Sequence, residues 1–118
     1  MNIKKQGNVA VLDGTQVVIK DVQSALDLIM TVHYETGCDC VAIDKMAIIE
    51  DFFNLSTTLA GQILQKCVNY RMKLAIYGDF SDYASKALRD FMYECNNGSE
   101  IFFESTKQKA IDRLSMAM

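Results

Sequence analysis

Short apolar runs alternate with amphipathic helical stripes along this chain, and that alternation constrains the fold more than any other feature. Proline is absent and glycine occurs six times, so each glycine is expected to mark the end of an element. The helical segments are long enough to serve as crossovers, which make the strands that they join parallel and the connections right-handed. The sequence therefore predicts the order β-β-α-β-loop-α-β-α-β-α, an α/β fold with a mixed five-stranded sheet and about four helices.

The first two strands are predicted to form an antiparallel hairpin. β-branched runs occupy residues 9–12 and 15–19, with Asp13-Gly14 between them. This dipeptide is a strong signal for a two-residue hairpin turn, because both of its central positions need a positive φ. The opening strand would then lie antiparallel at one edge, with the remaining strands parallel.

The later elements are bounded by caps and glycines. Helices are expected from Asp21 to Gly37, from the hydroxyl run at 56–58 to about Arg71, from about Asp82 to residues 96–98, and from a capping box at 105–108 onward. The later strands are expected at 40–43, 73–77 and 101–103. The stretch 46–53 fits a helix or a loop equally well.

Length and charge narrow the class of protein. We expect one domain over residues 1–118, since this is near the usual size of a single domain. Twelve basic residues against fifteen acidic ones give a net charge of −3, which repels nucleic acid. No stretch reaches the roughly 20 apolar residues that span a bilayer. The N-terminal sequence lacks the apolar segment of a secretory signal, so we expect a cytoplasmic protein without a membrane partner.

Catalytic and metal chemistry have few candidates. Four cysteines and one histidine do not supply the paired ligands of a structural zinc site. Cys67 and Cys95 occupy inward positions of helical stripes and are predicted to be buried free thiols. His33 lies on an apolar helical stripe and is expected to be packed. We therefore predict no metal, no cofactor and no catalytic residue.

Polar residues follow the parallel strands at their carboxyl ends, where ligands bind in open α/β sheets. The candidates for contact with a ligand or a partner are Asp44, Lys45, Asn54, Gly78, Asp79 and Ser81. A glycine after a strand lets a ligand approach the backbone. Asp and Ser also fit a plain turn, in which they bond local backbone groups. Both interpretations stay open.

A run of hydroxyls, Ser56-Thr57-Thr58, precedes the apolar helix in NLSTTLAGQIL. As a helix start, a hydroxyl accepts a hydrogen bond from a free N–H and contributes about 1 kcal/mol. As a switch, a phosphate on one of these hydroxyls would be held by the same N–H groups and would add a charge of about −2. Ser56 is the best phosphorylation candidate by position.

The order of elements resembles the STAS (SpoIIAA-like) fold, which is shared by anti-sigma factor antagonists and the cytoplasmic tails of sulfate transporters. In that family a strand ends in an Asp-Ser-Ser-Gly-like turn that opens a helix, and residues 54–61, NLSTTLAG, stand in its place here. STAS antagonists are phosphorylated at this turn. The resemblance therefore implies regulation at the Ser56 turn.

A longer resemblance is to an uncharacterised bacterial family, domain of unknown function 4180, whose members resemble FFDLxTGLAGEILQKFVNYxxKLAIxGDFSxYxSKxLxDFIYExNxG. Residues 52–98 are FFNLSTTLAGQILQKCVNYRMKLAIYGDFSDYASKALRDFMYECNNG, and IFFESTKQKAIDRL follows. Three positions depart from that pattern, since Asn54 replaces Asp, Thr58 replaces Gly and Gln62 replaces Glu. The loss of two carboxylates makes a metal still less expected, and the resemblance implies no activity.

Together these features predict a non-enzymatic cytoplasmic domain that binds a protein partner and is regulated at the Ser56 turn. The alternative is a small-ligand sensor or an enzyme that uses the strand ends around Asp44, Asp79 and Ser81. A metabolite bound at those strand ends would favour the alternative, whereas capture of a protein partner would favour the first function.

Overall fold

A computed structural model describes residues 2–14 and 16–116. Its strands are β1 (Asn2–Gln6), β2 (Val9–Asp13), β3 (Cys40–Asp44), β4 (Lys73–Tyr77) and β5 (Ile101–Glu104), and its helices are α1 (Val22–Thr36), α2 (Leu59–Tyr70), α3 (Lys86–Asn96) and α4 (Lys107–Met116). Three short 3₁₀ turns, at Lys45–Ala47, Glu50–Phe53 and Leu55–Thr57, connect β3 to α2. The predicted order of elements is confirmed.

The strands form one mixed sheet in the order β1-β2-β3-β4-β5. β1 is antiparallel to β2, and every later pair is parallel. Because each crossover moves the chain one strand in the same direction and is right-handed, α1, α2 and α3 fall on one face of the sheet. This is the predicted α/β class, with an antiparallel strand at one edge.

The core has two parts, one on each face of the sheet. The larger part packs the inward side chains of α1, α2 and α3 against alternate strand residues such as Val41 and Ile76. The smaller part packs Ala110, Ile111 and Leu114 of α4 against the opposite face. The period of two along each strand thus divides its side chains between the two layers.

The predicted hairpin exists, but its predicted position in the sequence is wrong. The two paired strands are β1 and β2, joined at Gly7-Asn8, with φ 62° at Gly7. The sequence 16–18 is irregular, and Ile19 makes a single parallel bridge to Ile48; Thr15 lies outside the described residues. β1 was missed because an edge strand whose residues are mostly exposed carries little apolar alternation.

The predicted ends of α1 are confirmed, and its predicted inward stripe is confirmed in part, since Ala25 and Ile29 are buried but Met30 is exposed. The Asp21 side chain accepts a hydrogen bond from Ser24 N at 2.8 Å, and Gly37 ends the helix with φ 72°. The expectation that His33 is packed is wrong, since its side chain is 64% exposed and Nδ1 lies 3.0 Å from Asp39 Oδ1. Apolar residues cover two adjoining stripes of α1, and the stripe that carries Leu28 faces the sheet.

Two helix starts differ from the prediction. The third helix begins after Ser85, whose hydroxyl accepts from Leu88 N at 3.2 Å, and not at Asp82. The predicted capping box of the last helix is also wrong. Thr106, one residue later than predicted, accepts from Lys109 N at 3.1 Å. Several adjacent residues at each start can cap a helix, so composition alone does not choose among them.

The outer edge of β5 is closed by side chains. The Asn96 amide accepts from Phe103 N at 2.7 Å and donates to Phe103 O at 3.2 Å, as a neighbouring strand would. Arg113 of α4 donates to Asn96 O and, at 2.9 Å, to Glu104 Oε2. Its guanidinium carbon lies 4.4 Å from the centroid of Phe102. These contacts join α3, β5 and α4 along an edge that would otherwise expose unpaired backbone groups.

All four cysteines are buried free thiols, which confirms the prediction for Cys67 and Cys95. Burial raises the pKa of Cys67 to about 12 and that of Cys95 to about 11. Burial likewise raises the pKa of Cys40 to about 11. These thiols remain protonated at neutral pH and act as small apolar core residues.

Candidate functional site

The carboxyl ends of β3 and β4 bring several predicted residues together. Lys45 follows β3, and Gly78 and Asp79 follow β4. The Lys45 ammonium donates to Asp79 O at 2.6 Å and lies 4.9 Å from the centroid of Tyr83 and 5.7 Å from that of Phe80. Lys45 and Asp79, two of the candidate residues at this edge, are therefore in direct contact through the backbone carbonyl of Asp79.

An open groove lies beside this contact. It is lined by Val17, Lys45, Met46, Ile48, Ile49, Glu50, Asp82 and Tyr83, and we call it the Tyr83 groove. Two of its apolar side chains are unusually exposed for their type, Met46 at 57% and Val17 at 38%. The groove thus combines an apolar surface with carboxylates and one ammonium group.

Tyr83 is held at the groove by both stacking and hydrogen bonding. Its ring stacks on Phe53 with centroids 5.2 Å apart, and its hydroxyl donates to Glu50 Oε2 at 3.2 Å. Burial, and then the bond to Glu50, raise the pKa of Tyr83 well above its usual range. The phenol is therefore a neutral hydrogen-bond donor at physiological pH.

Gly78 makes room for the side chain of Lys45 in this structure. A Cβ at Gly78 would lie 2.8 Å from Lys45 Cγ and 2.9 Å from Lys45 Cδ, and its φ is 153°. The close approach that the sequence predicts at this glycine is thus made by a side chain of the same chain.

The candidate carboxylates satisfy local backbone. Asp79 Oδ1 accepts from Ser81 N at 2.9 Å, and Asp44 Oδ1 accepts from Met46 N at 2.9 Å. Hydrogen bonds from the Ser81 hydroxyl and backbone hold the pKa of Asp79 below its ordinary value. Asp79, Ser81 and Asp44 thus adopt the turn geometry that was one of the two interpretations of this edge.

The hydroxyl run lies before α2 and is not its first turn. Ser56 Oγ donates to Asn54 Oδ1 at 2.7 Å, and the same oxygen accepts from Ser56 N at 3.2 Å. Thr57 Oγ1 lies 2.7 Å from Asp51 O and accepts from Leu59 N at 3.3 Å. The expected bond from a free helix N–H to a hydroxyl of the run is therefore made by Thr57 and not by Ser56, which sits inside a 3₁₀ turn that Asn54 caps.

Thr58 adopts a conformation that suits glycine. Its φ is 65°, in the left-handed region, and among the described residues no side chain caps α2 at this position. A β-branched residue is strained there. This is the position at which the family pattern has glycine, so the departure noted in the sequence has a conformational cost.

Thr58→Gly is expected to stabilise the domain by about 1 kcal/mol, because it removes the left-handed strain. Thermal and urea unfolding would measure the change. Thr58→Ala is the matched control, since it removes the hydroxyl but retains Cβ. A gain in Thr58→Ala equal to that in Thr58→Gly would contradict the backbone explanation.

The residues that sequence reasoning missed are mainly apolar or distant in sequence. Val17, Met46 and Tyr83 line the groove, but each resembles a core residue until the fold shows that Val17 and Met46 are exposed and Tyr83 is half-buried. Glu50 was missed because it lies in the stretch 46–53, which has no clear hydrophobic periodicity. A stretch of ambiguous periodicity directly after a buried strand was the available signal.

The lone histidine lies away from this groove. His33 is in the last turn of α1 and pairs with Asp39, just before β3 begins. Both residues therefore lie at the amino ends of the parallel strands.

Within residues 2–14 and 16–116, no group of three or more His, Cys, Asp or Glu side chains is placed to hold a metal ion. No helix in the described part of the chain is long and apolar enough to cross a membrane.

The fold and the groove together define a class of protein. It is an α/β domain whose sheet has three crossover helices on one face and one helix on the other. An exposed amphipathic groove lies at the carboxyl ends of its parallel strands. The family model described as Domain of unknown function (DUF4180) matches residues 4–114, and the chain belongs to that family. No curated protein and no solved structure matches the chain.

Proposed function

We propose that this chain is a non-enzymatic, cytoplasmic domain that binds a protein partner at the Tyr83 groove and is regulated by phosphorylation of Ser56. The observation that carries the proposal is the exposure of Met46 and Val17 in a groove that charged residues also line. Exposed apolar side chains rimmed by polar residues are typical of interaction surfaces. The carboxyl edge of a parallel sheet is also the usual place for a binding site.

The geometry of the hydroxyl run favours Ser56 as the modified residue. Ser56 is exposed, and its hydroxyl bonds, among the described residues, only to the side chain of Asn54. A phosphate on Thr57 would instead face Asp51 O and Asn54 O, which lie 2.7 and 2.8 Å from Oγ1. Replacing that donor by phosphate oxygens would set acceptor against acceptor. The group that would face a phosphate on Ser56 is the Asn54 side-chain oxygen, which can turn away by side-chain rotation, whereas the backbone carbonyls that face Thr57 cannot. Ser56 therefore accepts a phosphate at a lower structural cost than Thr57, and STAS antagonists, which this chain resembles, are phosphorylated at the corresponding turn.

The Ser56 turn is physically connected to the groove. Thr57 lies within hydrogen-bond distance of Asp51 O, and Asp51 follows Glu50, which lines the groove. A change of charge at Ser56 therefore acts on the segment from residue 50 to residue 57, which reaches the Tyr83 groove. A phosphate supplies a charge of about −2 at neutral pH, which would alter the electrostatic potential that a partner meets at this edge of the sheet.

Two features support a binding role over catalysis. Asp44 and Asp79 use their carboxylates on backbone N–H groups, and His33 lies at the opposite edge of the sheet. A general base must reach its substrate, and these groups are not arranged around one position. Four free buried thiols fit a reducing compartment such as the cytoplasm.

Ser56→Asp and Ser56→Ala are expected to differ in partner affinity by about tenfold, with little difference in stability. Unfolding free energies should stay within about 0.5 kcal/mol of the wild type, because Ser56 is exposed and does not cap α2. The measurements are capture from the native host with each variant as bait, titration of the captured partner, and intact mass of the native protein.

The control is Ser99, an exposed serine before β5, changed in the same two ways. Equal affinities of the two Ser56 variants, with no phosphate increment in the native mass, would remove the switch. Failure of every bait to bind a protein would remove the binding function itself.

A further inference from the structure

The Tyr83 groove is acidic as well as apolar. Glu50 and Asp82 line it with exposed carboxylates. The exposed Asp51 follows Glu50 in sequence, and the exposed Asp79 contacts Lys45 through its backbone carbonyl. The ion pairs found in the described part of the chain involve neither Glu50 nor Asp82. The carboxylates of Glu50 and Asp82 therefore form no ion pair with the side chains that the structure describes.

The single ammonium group in the groove is already engaged. Lys45 Nζ donates to Asp79 O at 2.6 Å and lies over the ring of Tyr83, 4.9 Å from its centroid. The Glu50 carboxylate accepts from the neutral phenol of Tyr83, which leaves its charge in place. Lys45 also keeps its charge, because its partners are neutral, so the described lining of the groove carries two carboxylates against one ammonium group. A partner therefore meets a surface with an excess of negative charge beside exposed apolar side chains.

We propose that the Tyr83 groove binds a basic amphipathic segment of a partner protein, with Lys or Arg side chains at Glu50 and Asp82 and an apolar side chain against Met46 and Val17. This inference rests on the proposed function and adds the chemistry of the partner. Charge complementarity steers such a segment to the groove and fixes its orientation. The flexible thioether of Met46 adapts to the apolar side chain that it meets.

The apolar part of the groove favours a peptide segment over a small cation. A small cation at Glu50 and Asp82 would leave Met46 and Val17 exposed, whereas a segment with alternating character covers both parts. A phosphate on Ser56 would add negative charge to the same edge of the sheet. Phosphorylation is therefore expected to strengthen binding of a basic segment.

The test uses two synthetic probes: a helical amphipathic peptide of Lys, Leu and Ala, and the same peptide with Glu in place of Lys. Fluorescence anisotropy at physiological ionic strength is expected to give the Lys peptide an affinity about tenfold higher than the Glu peptide. Amide chemical shifts should change around Met46 and Tyr83. Equal affinities for the two peptides would overturn the proposal.

Matched variants separate the groove from general attraction to an acidic protein. The double variant Glu50→Gln/Asp82→Asn should weaken binding of the Lys peptide by about tenfold. Glu35→Gln/Glu94→Gln removes the same charge from exposed residues of α1 and α3 and should leave the affinity within about twofold. Equal losses in both double variants would assign the binding to net charge and overturn the proposal.

The apolar contact has its own control. Met46→Gln should weaken the Lys peptide about fivefold, whereas Met30→Gln, at an exposed methionine of α1, should not. Equal effects of the two changes would contradict an apolar contact in the groove.

Two further outcomes decide the occupant. A concentration-dependent dimer that Glu50→Gln/Asp82→Asn dissociates would identify a second copy of the chain in the groove and overturn the proposal. A captured native partner that docks in the groove through an acidic segment would also overturn it, while leaving the protein-binding function intact.

Discussion

Gly78→Ala is expected to lower the free energy of unfolding by about 3 kcal/mol, because two effects act on the same Cβ. The backbone at Gly78 has φ 153°, which side chains rarely adopt, and the new Cβ would lie 2.8 Å from Lys45 Cγ. The stem of Lys45 is fixed by its bond to Asp79 O and its position over Tyr83. Relieving the clash therefore displaces the ammonium from the groove. Urea unfolding of the purified variant would measure the loss.

A double-mutant cycle separates the clash from the strained backbone. In a Lys45→Ala background, Gly78→Ala should cost about 1 to 2 kcal/mol less than in the wild type, because the colliding atoms are gone. Gly37→Ala is the control for backbone alone, since Gly37 has φ 72° with nothing near its Cβ position, and it should cost about 1 kcal/mol. The same cost for Gly78→Ala in both backgrounds would contradict the packing of Lys45 on Gly78.

Asn96→Ala is expected to lower the free energy of unfolding by about 2 kcal/mol, because it leaves a partly buried N–H and C=O of Phe103 without partners. The Asn96 amide supplies both bonds on the outer edge of β5. The freed edge should also increase self-association, since unpaired strand edges recruit other strands. Urea unfolding and light scattering would measure the two effects.

The neighbouring residue provides the control for Asn96. Asn97 is exposed, and within the described part of the chain its side-chain amide donates only to Tyr93 O, at 3.1 Å, so Asn97→Ala should cost about 0.5 kcal/mol. Similar costs for the two changes would contradict the idea that Asn96 closes the sheet edge. Unchanged scattering of Asn96→Ala would show that Arg113 and Glu104 protect the edge without it.

The fold could be predicted from sequence because its buried elements follow strong periodic patterns. β3, β4 and β5 are apolar runs between helices, and their order fixes parallel pairing. The prediction failed where burial is slight. β1 is an edge strand with polar side chains, and Gly7-Asn8 competes with Asp13-Gly14 as a turn signal.

The candidate site was predicted only in part, for a related reason. Because Lys45 and Asp79 each follow a parallel strand, the sequence correctly predicted that they lie at the same edge of the sheet. Sequence spacing could not show that Gly78 accommodates the Lys45 side chain, because the two residues follow different strands, β3 and β4, and meet only in the folded domain. It also could not show that Met46 is exposed, since an apolar residue after a strand is usually buried. Thr58 is the opposite case, where the departure from a family glycine coincides with a positive φ.

Site-specific photocrosslinking in the native host tests the central claim most directly. A photoreactive phenylalanine derivative at Met46 should form an adduct with one partner protein, because Met46 lies in the proposed docking groove. The control places the same residue at Tyr93 of α3, which is 71% exposed. The account predicts an adduct from position 46 that is absent from position 93 and is reduced by Glu50→Gln/Asp82→Asn. No adduct at position 46, or the same adduct from both positions, would contradict a protein-binding function at the Tyr83 groove.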